Sequence, residues 1–234
     1  SDDQLIEALA SADGYYNSWS NITQNERSKI INYIGDVLED NKFELYSLLM
    51  REAGKNIQDA ISEVREAIDF ARYYSFKGLE LCGSPIVLPG YTGERNTLTL
   101  HPRGVFLCIS PWNFPLAIFI GQIMAALVCG NTVIAKAAEN TSLIAARTIE
   151  LMHKAGVPVQ ALHLMVAGGK QISEILLKDN RIKGVCFTGS TGTALSINRA
   201  LASRDTAIAP FIAETGGQNA MIVDSSALLE QTTD

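Results

Sequence analysis

The chain has 234 residues, enough for one large domain or two small ones. Charged residues make up 19%, below the ~25% usual for soluble domains, and the mean hydropathy of +0.11 predicts apolar surface that meets another domain or subunit. A net charge of -6 with no basic run excludes nucleic acid as the main partner, because phosphate binding needs a basic face.

The first eighty residues read as helices. Ile30, Ile34, Val37 and Leu38 share one face of a helix over 25–40. A second run, 41–55, stops at Gly54. A third, 59–81, is amphipathic, with Ile61, Val64, Ile68, Ala71 and Phe76 on its apolar stripe and Glu63, Arg65, Glu66, Asp69 and Arg72 opposite. Residues 83–104 then read as two short strands around the turn Gly90–Gly93, a hairpin with little core of its own.

From Gly104 strands and helices alternate. "VFLCI" (105–109), "TVIAK" (132–136), "ALHLMV" (161–166) and "GVCFTG" (184–189) are buried strands by their apolar runs; "FIAET" (211–215) and "AMIVD" (220–224) are two further strand candidates. Helices are expected over 115–128, 141–155, 170–177 and 190–201. The apolar stretch 114–130 is too short for a membrane span and carries Gln122 in its middle. Pro115 suits its start and Gly130-Asn131 its end, so a buried core helix is expected. This alternation predicts an α/β fold: N-terminal helices, an open, mostly parallel sheet with helices on both faces, and a short β-hairpin arm.

The four cysteines, Cys82, Cys108, Cys129 and Cys186, are far apart and lack a nearby histidine pair. Neither a metal site nor a secreted disulfide framework is expected. The N-terminus shows no signal peptide pattern, and the expected location is cytoplasmic.

Open parallel sheets bind ligands at the carboxyl ends of their strands. After the first strand, two prolines fix the backbone around Asn113, which reads either as a helix N-cap or as an amide donor for an oxyanion. After the second, Lys136 and Glu139 read as a surface ion pair or as partners of one ligand, such as a ribose. After the fourth, Gly189, Ser190 and Thr191 read as a capped turn or an anion site. After the fifth, Glu214 reads as a solvated glutamate or, if desolvated, as a general base. Together these describe a cleft with an amide donor, a ribose clamp, a phosphate turn and a carboxylate.

"PWNFPLAIF", "KAAE", "FTGST" and "ETGGQNAMIV" fall in an order and spacing that resembles the aldehyde dehydrogenase superfamily over essentially the whole chain. "ISPWNFPLAIFIGQIMAALVCGN" and "IAETGGQNAMIVDSSALLEQ" look most like the glutamate-semialdehyde (1-pyrroline-5-carboxylate) dehydrogenase domain of bacterial proline utilisation proteins. The resemblance implies oxidation of glutamate γ-semialdehyde to glutamate with NAD. It implies that Ile109, Ser110, Pro111 and Trp112 line the NAD pocket, that Lys136 and Glu139 hold the adenosine ribose, and that Gly189 and Ser190 lie by the pyrophosphate. Asn113 becomes the oxyanion-hole amide, Glu214 the general base, Gly216 a neighbour of the nicotinamide and Glu66 a substrate-side contact.

The resemblance also implies a Rossmann-like NAD-binding domain over 103–234, an N-terminal helical part over 1–84 and an oligomerisation arm over 85–102, in a homo-oligomer. FAD enters only if a proline dehydrogenase domain is fused upstream. The family's nucleophile is a cysteine in a G-Q-x-C context downstream of the glutamate-Gly-Gly motif. No such context occurs before Asp234, so the segment is expected to lack the nucleophile and the catalytic domain. Two alternatives stand beside this reading: a non-catalytic nucleotide-binding module, and a dehydrogenase for another semialdehyde. Two departures from the pattern occur, Ala137 after Lys136 where many relatives have proline and Ala194 where many have a second glycine.

Overall fold

The computed structural model describes residues 2–233. Four helices come first: α1 (Asp2–Ser20), α2 (Gln24–Asp40), α3 (Lys42–Glu52) and α4 (Ile57–Cys82). A two-stranded antiparallel hairpin, β1 (Ile86–Leu88) and β2 (Asn96–Leu98), follows. The alternating part comprises β3 (Val105–Ile109), α5 (Ala117–Val128), β4 (Thr132–Lys136), α6 (Ser142–Lys154), β5 (Leu162–Met165), α7 (Gly169–Ile175), β6 (Ile182–Thr188), α8 (Thr191–Ala202) and β7 (Phe211–Glu214). A single turn, α9 (Leu229–Thr233), closes it.

The main sheet has the order β5-β4-β3-β6-β7, and every pairing is parallel. Side chains alternate across it, as the period of two requires. Phe106, Cys108, Val133 and Ala135 join a core with α2, α4, α5 and α6, including Ile31, Val64, Ile120 and Ile144. Val105, Leu107, Ile134 and Val185 face the other way, toward Leu5 and Leu9 of α1, Ile172 of α7 and Ile197 of α8. Both faces are covered, which is why these strands read as unbroken apolar runs.

The N-terminal helices hold α5 in place. Its last carbonyls accept hydrogen bonds from other helices: Leu127 from Trp19 Nε1 at 3.1 Å, Val128 from Gln24 Nε2 at 3.0 Å and Arg27 Nε at 3.1 Å. Gly130, at φ +87°, closes the helix in a Schellman turn, with its N–H on Leu127 O and that of Asn131 on Ala126 O.

Two expectations change. The run 220–224 is not a strand; Met221, Ile222 and Val223 are exposed and pair with no edge. A β-prone run becomes a strand only where a neighbour takes its hydrogen bonds. Helix α5 begins at Ala117, two residues after Pro115, with Leu116 as its N-cap.

Candidate functional site

The carboxyl ends of β3, β4 and β6, with α7 and α8, border a groove of about 630 Å³. Ile109, Ser110, Pro111, Trp112, Lys136, Gly189 and Ser190 line it, so seven of the residues singled out from the sequence meet in one place. The Ser110 N–H donates to Lys136 O at 3.2 Å, locking the start of the 110–116 loop to the end of β4. Ile172, Leu177 and Ile197 give the groove an apolar wall.

Ser190 is the N-cap of α8. Its Oγ accepts from the Thr193 N–H at 3.2 Å. The N–H groups of Thr191 and Gly192, at the first two helical positions, have no partner within the helix, by helix geometry. Gly192 lines the groove, and the space where its Cβ would sit is empty. This end therefore offers backbone donors and the positive end of a helix dipole to an anion. Gly189 has a different reason for being glycine. A Cβ there would meet the Phe187 ring at 2.7 Å, and that ring is itself buried in the groove wall.

Lys136 is half-buried, and burial pushes its pKa below the ordinary lysine value, partly offset by nearby Glu139. The two make no contact ion pair among the described residues. Glu139 opens the short 3-10 turn Glu139–Thr141; its Oε1 lies 3.8 Å from the Cβ position of Gly168, outside the groove lining.

Asn113 does not cap α5. That role falls to Glu63, a carboxylate of α4 with 0% exposure. Its Oε1 accepts from the N–H groups of Leu116 (2.8 Å) and Ala117 (3.1 Å). Its Oε2 lies 2.7 Å from Lys55 Nζ, which in turn sits 4.1 Å from the centre of the Phe114 ring. Asn113 is exposed beside the groove.

Glu214 ends β7, the edge strand, and is exposed, so the described residues do not form a dry surround for it. Its carbonyl accepts from the Gly189 N–H at 3.1 Å, which ties the β6 turn to β7. Gly216 lies beyond, with open space around its Cβ position. Glu66 sits on the outer face of α4, in an open depression of about 470 Å³ shared with Arg65, Asp69 and Tyr73. Burial and then Glu63 push its pKa up, and Lys55 partly offsets them. Asn113, Glu139, Glu214, Gly216 and Glu66 thus lie outside the groove lining.

Sequence reading missed the α7 side of the groove: Gly169, Lys170 and Ser173. The signal was present. Gly168-Gly169 is separated from the end of β5 by two residues, and the strand-end rule applies there as at the other four strands. Gln122 was also missed. Its Nε2 donates to Thr188 Oγ1 at 2.9 Å, bridging α5 to the end of β6.

Cys108 and Cys186 are buried on adjacent strands and in register. The hydrogen bond to Cys186, then burial, push the Cys108 thiol well above the ordinary cysteine value. Burial pushes Cys129 up to about 12. Neither is a thiolate nucleophile in this setting. Among the described residues no group of three or more metal-ligating side chains occurs, and no helix is long and apolar enough to cross a membrane.

The chain is 46% identical over 231 residues to the bifunctional protein PutA of Salmonella typhimurium, covering 97% of this chain and 16% of that one. It is 34% identical to the 1-pyrroline-5-carboxylate dehydrogenase of Anoxybacillus flavithermus, covering 97% of this chain and 45% of that one. Among solved structures, a mutant of Bradyrhizobium japonicum proline utilization A superposes with a TM-score of 0.95 at 49% identity, over 99% of this chain and 24% of that one. A Thermus thermophilus 1-pyrroline-5-carboxylate dehydrogenase mutant gives 0.86 at 34% identity, over 90% and 41%. The sequence pattern of the aldehyde dehydrogenase family matches residues 1–234. With its parallel sheet, its groove at the strand ends and this match along its whole length, the chain belongs to the aldehyde dehydrogenase family.

Proposed function

We propose that this chain is the NAD-binding part of an enzyme that oxidises glutamate γ-semialdehyde to glutamate. The observation that supports this most directly is the groove. One wall is apolar, Lys136 stands at one strand end, and the free N–H groups of α8 stand at another. This donor set suits a dinucleotide: the helix end takes the pyrophosphate and Lys136 the adenosine ribose, with Glu139 reaching the ribose from outside the lining when the nucleotide is bound. Glu139 disfavours a 2′-phosphate by charge, so NAD is preferred over NADP. NAD, when bound, supplies the hydride acceptor.

The chain's own residues prepare the remaining steps. The Asn113 amide donates to the oxygen that becomes negative when a thiolate adds to the aldehyde carbonyl. The Glu214 carboxylate takes a proton from the water that later releases the acid. None of the four cysteines lines the groove, so the thiolate is supplied from outside it. The substrate assignment rests on the similarity to PutA and 1-pyrroline-5-carboxylate dehydrogenase. In the full-length protein, glutamate γ-semialdehyde with NAD is expected to yield NADH and glutamate. Residues 1–234 alone are expected to bind NAD and turn nothing over. NADH formation from other aldehydes but not this one contradicts the substrate. Turnover by the isolated chain contradicts the placement of the thiolate.

A further inference from the structure

We infer that Glu63 and Lys55 are positioning residues for Asn113, an assignment that rests on the amide role proposed above. The loop from β3 to α5 carries Asn113, and that side chain has no hydrogen-bond partner of its own among the described residues. Its direction is therefore set by the backbone on either side. Upstream, the Ser110 N–H on Lys136 O fixes the strand end. Downstream, three of the next four residues touch one buried ion pair: Phe114 through its ring to Lys55, and Leu116 and Ala117 through their N–H groups to Glu63.

A side-chain cap of a helix accepts from its free N–H groups, and Asn113, three residues before the N-cap Leu116, does not reach them. Here Glu63 takes those donors from another helix, 53 positions upstream of Leu116. The same contact blocks the α5 N-terminus as an anion site, because a carboxylate already occupies it. A buried carboxylate is costly unless it is paired and fully hydrogen-bonded. Glu63 meets the pairing half of that condition: Oε1 takes two N–H groups, while the buried Oε2 has no hydrogen bond and is held only by the charge of Lys55 at 2.7 Å, so the pair depends on that cation. The Lys55 ammonium reaches Phe114 as well, so one cation braces both the cap and the residue next to Asn113.

The test uses the full-length protein and measures kcat, aldehyde KM and NAD affinity. Asn113→Ala establishes the amide's contribution. Glu63→Gln keeps an acceptor oxygen but loses the charge; it is expected to lower kcat about tenfold, since a misplacement of ~1 Å can cost more than that. NAD affinity stays within about twofold, because the groove lining is untouched. Glu63→Gln combined with Asn113→Ala is no slower than Asn113→Ala alone, as for residues that act through one group. Lys55→Met lowers kcat in the same way, and Lys55→Arg restores it to within about threefold, because arginine keeps the charge. If Glu63→Gln does not fold, the two Lys55 variants decide. Full kcat per folded site in Lys55→Met overturns the inference, as do losses that multiply with that of Asn113→Ala. Full kcat in Asn113→Ala removes the amide role itself, and this inference with it.

Discussion

Lys136 carries an energetic signature of a ligand group. Its ammonium is half-buried at the end of β4, and burial outweighs Glu139 in setting its pKa below the ordinary value. The folded chain therefore holds this proton less tightly than the unfolded chain does. That penalty is fully present at neutral pH and fades only as pH rises through the lowered folded pKa. On the function proposed above, NAD binding offsets that cost. Lys136→Met is expected to leave thermal stability unchanged or slightly raised, and to weaken NAD binding about tenfold, the scale of one lost charged hydrogen bond. Calorimetric binding alongside a melting curve checks both. Lower stability with unchanged NAD affinity contradicts it. The site was partly legible at this scale. Lys136 is visible in the sequence because it ends the apolar run 132–136, where a lysine packs poorly, and the apolar run 105–109 shows that Cys108 is buried in a strand. Gly189 was read as a turn residue, but the Phe187 ring two positions before it is what excludes a Cβ, and side-chain direction is not written in a local pattern.

Elements whose ends are closed locally were legible, and those closed from afar were not. Thr23 and Glu26 form a capping box at α2, Ser190 caps α8, and Gly130 ends α5; each signal lies within three residues of the end it sets. The start of α5 is set by Glu63, and α6 is capped in the same way by Glu52, whose oxygens accept from the N–H groups of Leu143 (2.7 Å) and Ile144 (2.8 Å). No window of sequence shows such a cap. The α7–β6 turn is a local case with a pH consequence. Asp179 accepts from the Arg181 side chain at 3.0 and 2.8 Å and from its N–H at 2.9 Å, and Arg204 reaches the Asp179 and Ile182 carbonyls. The Arg181 hydrogen bonds hold the Asp179 carboxyl below the usual aspartate range, against a smaller opposing effect of burial. A depressed carboxyl stabilises the fold above its unfolded value and loses that contribution as pH falls through the folded value. Asp179→Asn should therefore be less stable than the parent at neutral pH, by a gap that closes below about pH 4. Urea midpoints across pH read the gap directly; a gap that widens in acid contradicts the pairing.

At the scale of the molecule, exposed apolar side chains occur on several elements, and two groups of them lie close together in sequence. One is the hairpin, where Ile86 pairs with Leu98 and shares a face with Leu88. The other is the C-terminal segment, where Ile222 is 94% exposed and no regular structure surrounds it. Two strands of three residues are marginal without a surface to pack on. A hairpin face that is already ordered gives up little entropy when covered, whereas the 220–224 run must be ordered first, at about 1–2 kcal/mol per residue. The hairpin is thus the better-prepared contact, and covering the exposed part of one of its half-buried leucines is worth about 1 kcal/mol in each partner. The chain alone is expected to self-associate in sedimentation experiments. Leu98→Lys should weaken that at least about tenfold, while Ile222→Lys changes it by less than about threefold; the factors follow from 1.4 kcal/mol per decade. A monodisperse monomer, or association abolished by Ile222→Lys alone, would place the contact elsewhere.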